Sequence, residues 1–577
     1  MRTSCKATIS LVDMSALQNL ATTTVGANPI SSPTRFKFAN TYDVVQTTER
    51  NFSILDGSMK IAPSSYVIPF CSNELSGNDC TFSTNPKIIF QLSGSHTSTG
   101  ITMRFNSDYP SEVKITWYTD RNRTSKIVTR TFYPDSTDYF FRNQVLDYGA
   151  VDVEFVKTRL PGQFVKVDNV LFGQIAVWEG EEIISATITE EVDSTSATIP
   201  IGTCELTLMD KENEWNIQNE NGTWKSLQTD QKIVIEEIVN DKVIPIGEYY
   251  LESWQSKENA IAFSLVDGIG KLDKAKCNGN VFTNTQLMGI VSFIMASANW
   301  SSNAYEVDAS LTNIRLSGCI PICSCREALQ QIAFSIGAVV ICNNGKIIIK
   351  VPDKNVDGYI LLNRKFSGGT VMKLDEYVSG VSITATQYAV SSEEREIYNG
   401  FLPMGVNKIE FSEPFTDLTV VGGSLLSRGS NWCQISMASD GNVTIRGYGY
   451  TTNEFTITKN VDQIENGHTP NVKAFSGLTI CNTQLLPEIA QRLLDWYSLR
   501  QNVEIEYLCD SEKVGEWVSI EDSLADGKYA VTNINSQTID LTGGYIAKAK
   551  CKGYSTVVST FSYMGNNELR MDGEEII

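Results

Sequence analysis

Short runs of alternating apolar and polar residues recur along most of the chain. Examples are KIIFQLSG, EVKITWYTD, KIVTRTFYP, VDVEFVKT, CELTLMD and KIVIEEIV, each bounded by Gly, Asn, Asp or Pro. A period of two places every second side chain on a core, as in a β-strand. Because short strands at close intervals are typical of sandwiches and barrels, the pattern predicts a mainly β protein.

Two segments have apolar residues at helical spacing instead. In NTQLMGIVSFIMASAN, Leu287, Ile290 and Ile294 fall on one face. In LLPEIAQRLLDWYSLRQ, Pro487 suits the first turn of a helix, where its missing N–H costs nothing. Both segments are predicted to be helices packed on the β-structure.

A third helix is predicted within GCIPICSCREALQQIAFSIGAVVICNNGKIIIKV. Ser324 and Glu327 have the spacing of a capping box, and Gly337 suits the left-handed residue that ends a helix. AVVIC and KIIIKV then read as a hairpin joined across NNG. The segment DGIGKLDK, from Asp267 to Lys274, lacks the spacing of a phosphate-binding loop and is predicted to be a turn.

Cysteine is frequent in this stretch, but its spacing argues against a metal centre. The arrangement Cys-x3-Cys-x-Cys at Cys319, Cys323 and Cys325 matches neither the paired spacing of zinc sites nor the usual cluster spacings. Free cysteine is commonly a small buried apolar residue. Cys71 and Cys80 bracket CSNELSGNDC and would pair only if the mature protein works outside a cell.

Composition narrows the functional classes further. The formal net charge is −20, which disfavours wrapping nucleic acid or docking on anionic lipid. Only two histidines occur, which removes the commonest general base. The start, MRTSCKATISLVDMS, contains no apolar core of the length that a signal peptide needs, so none is predicted, and no run of about 18 apolar residues occurs. We predict no catalytic residue, no metal ligand, no cofactor and no membrane span.

A weak internal repeat is more informative. GEYYLESWQS, with Gly247 and Tyr249, and GKYAVTNINS, with Gly527 and Tyr529, share the pattern G-x-Y-x-[L/V]-x4-S. The first follows the strand QKIVIEEIV and the second follows NVEIEYLCD, so we match these two strands to each other. The shared order predicts two copies of one β-unit.

Four segments resemble a family of tail proteins encoded by phages and prophages of Firmicutes. They are EEIISATITEEVDSTSATIPIGTCELTLMDKENEWN, GEYYLESWQSKENAIAFSLVDGIGKLD, IPICSCREALQQIAFSIGAVV and SQTIDLTGGYIAKAKCKGY. The family comprises baseplate hubs and the N-terminal part of tail-tip proteins, and the resemblance covers roughly residues 180–555. Upstream, ERNFSILDGSMKIAP, ITMRF, EVKITWY and FYPDSTDYF resemble a carbohydrate-binding jelly roll.

The resemblance implies a division of the chain into five parts. Residues 1–40 would be an N-terminal strand and linker arm, and residues 41–174 a jelly-roll β-sandwich. Two tube-like β-barrel domains would lie in residues 175–275 and 376–577, with an inserted α+β segment at residues 276–375. The chain ends in STFSYMGNNELRMDGEEII, so we expect wall-degrading or receptor-binding activity to reside mostly in other proteins.

The same resemblance implies a structural role in a virion. Hubs of this kind are homotrimers that adapt a hexameric tail tube to a three-fold spike or tip protein and line the passage for DNA. The expected partners are therefore tail-tube and distal tail proteins, a spike or tip protein and possibly a tape-measure protein, after assembly in the bacterial cytoplasm. Contractile tails, non-contractile tails and contractile injection systems all remain open.

An adsorption protein is the alternative. The jelly-roll region holds aromatic residues on which sugar rings could stack, and the candidate glycan contacts are Trp117, Tyr118, Tyr133 and Tyr139. Because alternation puts Trp117 and Tyr118 on opposite faces of one strand, we expect one of the two to lie in the core.

Overall fold

A computed structural model describes most of the chain, namely residues 3–13, 16, 20–38, 67–106, 108–220, 222–239, 242–353, 355–366, 370–464, 467–510, 512–521, 528–542 and 544–557. Strands account for 58% and helices for 12%, which confirms the prediction of a mainly β protein. ERNFSILDGSMKIAP, Gly527 and the C-terminal tail lie outside the described residues. No helix in the described part is long and apolar enough to cross a bilayer.

The N-terminal region is a β-sandwich built around two long strands that contribute to both layers. Its strands are β1 (Thr3–Val12), β2 (Ala21–Val25), β3 (Phe70–Cys71), β4 (Lys87–Phe105), β5 (Pro110–Tyr118), β6 (Lys126–Phe132), β7 (Asp138–Thr158) and β8 (Lys166–Glu179). The start of β4 pairs with β2 and the end of β7, whereas its last residues pair with β8 and the start of β7. Register shifts in the middle of β4 allow this bend.

Aromatic side chains fill the sandwich, including Phe90, Phe105, Trp117, Phe141, Phe155 and Phe172. The jelly-roll β-sandwich at residues 41–174 stays a prediction. β8 continues beyond the sandwich and pairs with β1, so these two strands carry the chain into the next sheet.

The next region forms a first β-unit. It comprises β9 (Ile183–Glu191), β10 (Thr203–Met209), β11 (Lys232–Val239), β12 (Lys242–Lys257) and β13 (Ala260–Val266). All neighbouring strands are antiparallel, and β11 pairs with β1 on its outer side.

An α+β segment follows, in which one buried face of each helix contributes to a common apolar core. Its elements are α1 (Gly268–Lys274), β14 (Lys276–Cys277), β15 (Asn280–Gln286), α2 (Leu287–Ser297), β16 (Tyr305–Val307), β17 (Arg315–Ile320), β18 (Cys323–Ser324), α3 (Cys325–Ile336), β19 (Val339–Asn343) and β20 (Lys346–Lys350). The predicted helices and the hairpin across Asn344 and Gly345 are confirmed, and both turn residues have positive φ.

The prediction of a turn at Asp267 to Lys274 is wrong, because these residues begin and form helix α1. The Asp267 carboxylate accepts hydrogen bonds from the Ile269 and Gly270 amides at 2.9 and 3.0 Å. This N-cap pairs the Ile269 and Gly270 amides, which are buried and have no acceptor within the first turn of the helix. Helix propensity does not predict α1, because two of its seven residues are glycine.

A long two-stranded ribbon was not anticipated. After β21 (Val356–Ile360) and β22 (Val371–Leu374), the chain forms β23 (Gly380–Leu402), β24 (Gly405–Glu410), β25 (Thr416–Val421), β26 (Ser424–Arg428), β27 (Trp432–Met437), β28 (Gly441–Asn460), β29 (Val472–Leu478), β30 (Ile480–Cys481) and α4 (Leu486–Ser498). β23 and β28 pair along most of their length and form the centre of a four-stranded sheet, in which β29 pairs with the near end of β23 and β25 with the far end of β28. The far ends of β23 and β28 share a small core with β24 to β27, and their near ends pack on α4.

A second β-unit completes the fold with β31 (Gln501–Leu508), β32 (Trp517–Glu521), β33 (Lys528–Asp540) and β34 (Ile546–Val557). β33 pairs with β9 of the first unit, so one sheet runs from β8 to β22 through both units. The prediction of barrels is corrected: the described strands close no barrel. The two end strands of the first unit do not pair with each other, because β9 pairs with β33 of the second unit and β11 pairs with β1.

We expect Ile332→Asp to unfold the α+β segment, because Ile332 of α3 is fully buried in its core. Burying an unpaired charge costs several kcal/mol. Ile332→Val is the matched control and should cost about 1 kcal/mol. Urea denaturation followed by circular dichroism measures both, and equal stabilities for the two variants would contradict the packing described.

Candidate functional site

The two β-units have the same strand order. In the first unit the neighbours are β10, β13, β12 and β11, and in the second they are β31, β34, β33 and β32. When β9 is left out and the four strands of each unit are counted in chain order, each unit pairs its first strand with its fourth, its fourth with its third and its third with its second. The predicted repeat is therefore present as a repeated topology.

The strand equivalence inside the repeat needs correction. NVEIEYL forms β31, which occupies the position of β10, TCELTLM, and not that of QKIVIEEIV, which forms β11. The counterpart of β11 is β32, whose five residues WVSIE are too short to stand out in the sequence. The two GxY segments do fall on equivalent strands, β12 and β33.

Gly247 and Tyr249 pack against each other at the start of this equivalent strand. A Cβ on Gly247 would lie 2.8 Å from a ring carbon of Tyr249, so glycine makes room for the ring. Tyr249 is buried in the core common to both units, and burial raises the pKa of its hydroxyl. In the second unit Tyr529 is half-buried, and its glycine, Gly527, is outside the described residues.

The units meet along β9 and β33 in a continuous antiparallel ladder. Ile188 lies opposite Ile539 and both are buried, while Thr189 and Thr538 share a hydrogen bond of 3.3 Å between their hydroxyls on the outward face. The Ser536 hydroxyl donates to Glu191 at 3.1 Å. A single apolar core extends beneath both units. The pair of units is thus one rigid sheet in the described structure.

A small cavity beside this junction is acidic. It measures about 20 Å³, room for one water molecule, and Glu190, Tyr249 and Asp267 are among its lining residues. Burial, reinforced by the charge of Asp267, raises the pKa of Glu190 to about 7, although Lys513 opposes the shift. Burial also raises the pKa of Asp267 to about 6 despite its backbone hydrogen bonds.

Both ends of the common sheet are open. Residues 174–179 of β8 pair only with β1, and β22 pairs only with β31 among the described strands. On β8, Ile175 and Val177 point outward, and Val177 is 47% exposed. At the other end Leu374 is 70% exposed, and further exposed apolar residues nearby are Leu362, Phe366, Val371 and Met372. A strand of another chain can form hydrogen bonds with an unpaired strand edge and cover its exposed apolar side chains.

The outward face of the sheet is polar and its charges are paired across strands. Lys373 contacts Glu504 at 2.7 Å on the second unit, and Lys6 contacts Glu236 at 3.0 Å next to the first. Between them the junction presents threonine and serine hydroxyls. This face therefore carries hydrogen-bonding groups but little unpaired positive charge.

The capping residues of α3 are where the sequence places them. The Ser324 hydroxyl accepts from the Glu327 amide at 3.1 Å, and the Ser324 amide donates to the Glu327 carboxylate at 3.0 Å. Gly337 ends the helix in the left-handed conformation, with φ of 69°. These residues shape the α+β segment and lie away from the sheet edges.

All thirteen cysteines are free thiols, including Cys71 and Cys80. Cys277 lies opposite Cys323 on paired strands, and a hydrogen bond from the Cys325 thiol lowers the pKa of Cys277 to about 7. Cys277 is more than 40 residues from Cys323 and Cys325 in the sequence, so the spacing of the cysteines could not predict that the three lie close together. No group of three or more potential metal ligands occurs in the described part of the chain.

The four candidate glycan contacts do not form one site. Trp117 is fully buried in the sandwich core, so it cannot stack on a ligand and that candidate is corrected. Tyr118 is half-buried with its hydroxyl 3.4 Å from Asp152, and Tyr139 packs edge-on against Phe141. Tyr133 is 67% exposed. The expectation that Trp117 or Tyr118 would be in the core is confirmed for Trp117.

Comparisons with known proteins give distant likenesses only. No protein-family model matches the sequence, and neither does any curated protein. A tail protein from Neisseria meningitidis MC58 has 13% identity over 65% of this chain and 93% of that one, with a TM-score of 0.40. The 43 kDa tail protein of prophage MuSo2 from Shewanella oneidensis has 12% identity over 65% and 95%, with a TM-score of 0.38.

A third solved structure, prophage tail protein gp18 from Listeria monocytogenes EGD-e, has 8% identity over 66% of this chain and 91% of that one, with a TM-score of 0.38. At these identities and scores the likenesses do not establish the function of this chain.

Glu190 should make the stability of the folded chain depend on pH. Its pKa is about 7 in the folded state against an ordinary value of 4.5, so the folded state holds this proton more tightly than the unfolded state. The stabilisation is complete below about pH 4.5 and is lost as the pH rises through about 7. Glu190→Gln should therefore raise the melting temperature at pH 8 more than at pH 5.

The matched control is Glu205→Gln, on the exposed outward face of β10. Thermal unfolding of both variants at the two pH values is the measurement. If Glu190→Gln and the native chain show the same change in melting temperature between pH 5 and pH 8, folding does not raise the pKa of the Glu190 carboxyl.

Proposed function

We propose that three copies of this chain form a ring that acts as the hub of a phage tail or tail-like particle. The observation that carries the proposal is the pair of β-units with the same strand order, fused through β9 and β33 into one sheet with two open edges. The resemblance of four sequence segments to tail hubs points to the same role. The activity is structural, without catalysis.

Three copies of two equivalent units give six units around one axis. Such a ring has true three-fold and approximate six-fold symmetry, so one face can meet a hexameric tail tube while the opposite face meets a trimeric spike or tip protein. Closed rings form when one surface of a chain binds a different surface of the next chain. The β8 edge and the β22 edge are two such different surfaces.

The chemistry of the two edges suits this contact. On the outward face, Ile175 and Val177 of β8 would lie beside Val371 from the next copy, and on the core-facing side Met372 and Leu374 would be covered by the core of that neighbour. Interfaces of permanent oligomers are larger and more apolar than ordinary surface. Continuation of the sheet across the boundary would also satisfy the backbone groups that an edge leaves unpaired.

The polar face of the sheet would then line the passage for DNA. Its lysines are paired with glutamates, as at Lys373 and Glu504, and the chain carries a formal net charge of −20. Phosphate groups bind where unpaired lysine and arginine cluster. A wall of hydroxyls and neutralised charges lets DNA slide through without being held, and a tape-measure protein could occupy the same passage before ejection.

Substitutions on the two edges test the ring directly. Light scattering of the native chain should give the mass of three copies. Val177→Asp places an unpaired charge in the β8 edge and should weaken association at least tenfold. Ile127→Asp is the control, because Ile127 is a partly exposed residue on β6 of the N-terminal sandwich, away from both edges.

Mixing two edge variants identifies the geometry of the contact. Val177→Asp keeps an intact β22 edge, and Leu374→Asp keeps an intact β8 edge. If unlike edges bind, each variant alone is monomeric and the mixture gives one-to-one dimers that cannot close a ring. A native chain that stays monomeric, even when mixed with tail-tube protein, contradicts the proposal.

A glycan-binding role for the N-terminal sandwich is the second candidate, supported only by the exposed ring of Tyr133. It predicts that the full chain is retained on immobilised cell-wall polysaccharide and that Tyr133→Ala reduces retention. Unchanged retention in that variant would contradict this candidate.

A further inference from the structure

A cleft separates the α+β segment from the middle of the ribbon. Its volume is about 750 Å³, within the range of small-ligand sites. One wall is formed by β15, β17 and the turn after β30, and the other by the facing parts of β23 and β28. The cleft is distinct from the sheet edges and from the junction of the two β-units.

Irregular strands on both walls create this space. The pairing of β23 with β28 shifts register between Val390 and Glu394, so the ribbon bends beside the cleft. The pairing of β15 with β17 shifts between Phe282 and Thr285, where Asn284 has a φ of 46°. On β17 a Cβ at Gly318 would lie 2.2 Å from the Thr479 carbonyl oxygen, so only glycine permits this close packing.

Two tyrosines from the ribbon occupy one side of the cleft. Tyr388 pairs with Thr452 and Tyr450 pairs with Val390, so the tyrosines are diagonal neighbours on the same face of the ribbon. Both are half-buried, and burial raises the pKa of each hydroxyl, with the nearby Cys319 thiol of β17 adding to the shift. The rings therefore extend from the ribbon towards the opposite wall.

The rest of the lining is polar but almost uncharged. Amide and hydroxyl side chains predominate, and among the described lining residues none is Asp, Glu or Lys, although the chain contains 67 acidic residues. Arg315 is the one cation in that set, and it donates to the Asn284 carbonyl at 2.7 Å. The Asn482 side-chain amide donates to the Arg315 carbonyl at 3.1 Å, and this hydrogen bond joins the turn after β30 to β17.

We propose that this cleft binds a neutral saccharide chain. A side-chain amide both donates and accepts hydrogen bonds, which matches the paired donor and acceptor character of sugar hydroxyls. Thr452 lies beside the two tyrosines on the same face of the ribbon, and the amides of Asn284, Asn482 and Gln484 lie on the other wall. The faces of Tyr388 and Tyr450 offer aromatic surface to the C–H face of a sugar ring.

The lining disfavours the other common classes of ligand. A cationic peptide would find no carboxylate among the described lining residues, and a polyanion would find one arginine already engaged with backbone. A purely apolar ligand would leave the amides without partners. The saccharide proposal is independent of the ring, since the cleft lies within one copy of the chain.

An array of immobilised oligosaccharides tests the proposal with the full-length chain. The array carries neutral chains of glucose, galactose, rhamnose and N-acetylglucosamine beside acidic chains containing uronic acid or phosphate. We expect retention on one or more neutral chains, reduced about tenfold by Tyr388→Ala. Gln484→Glu, which places a carboxylate on the wall opposite the tyrosines, should reduce retention as well. Tyr388→Phe, which keeps the ring, should retain binding.

Two matched controls locate the site. Tyr448→Ala removes a tyrosine from β28 outside the cleft and should leave retention unchanged, with melting temperatures confirming that every variant is folded. Loss of retention in Tyr133→Ala but not in Tyr388→Ala would overturn the proposal in favour of the N-terminal sandwich. Retention confined to acidic chains, or no retention on any chain, would also overturn it, the latter leaving a polypeptide segment as occupant.

Discussion

The pairing of β9 with β33 is the contact on which the architecture depends. Residues almost 350 positions apart in sequence form one ladder, in which Ile188 and Ile539 face the core and Thr189 and Thr538 face outward. Because this ladder is continuous, two equivalent units have a fixed relation within each chain. A one-residue slip would exchange their buried and outward faces, so the same pairing also fixes which face of the sheet is polar.

The sequence predicted local structure well where one strong signal was sufficient. Alternating strands, the capping box at Ser324 and Glu327, and the left-handed Gly337 all depend on contacts within a few residues. Helix α1 was missed because its stability comes from one aspartate cap in a glycine-containing segment. The five-residue strand β32 was missed because short strands give little periodicity, and this shifted the strand equivalence inside the repeat.

Features set by long-range pairing could not be read from the sequence in the same way. The ribbon of β23 and β28, the open edges of the sheet and the cleft all depend on which strands meet. Trp117 shows the same limit for single side chains: alternation identifies two faces of β5 but cannot say which one faces the core. For the cleft, the useful signal would have been uncharged runs such as ATQYAV and GYTTN within an acidic chain.

The burial of the cysteine thiols affects how readily the chain would be oxidised outside a cell. Each of the thirteen thiols is buried or half-buried, and burial raises the pKa of most of them, as at Cys204 and Cys551. Since the thiolate is the form that reacts, these thiols are slow to oxidise, and Cys277, whose pKa is lowered to about 7, is the exception. For the proposed hub, most of the sulfur atoms would therefore stay unreacted on passage from a reducing cytoplasm into aerated surroundings, and oxidation would begin at Cys277 and its neighbours Cys323 and Cys325.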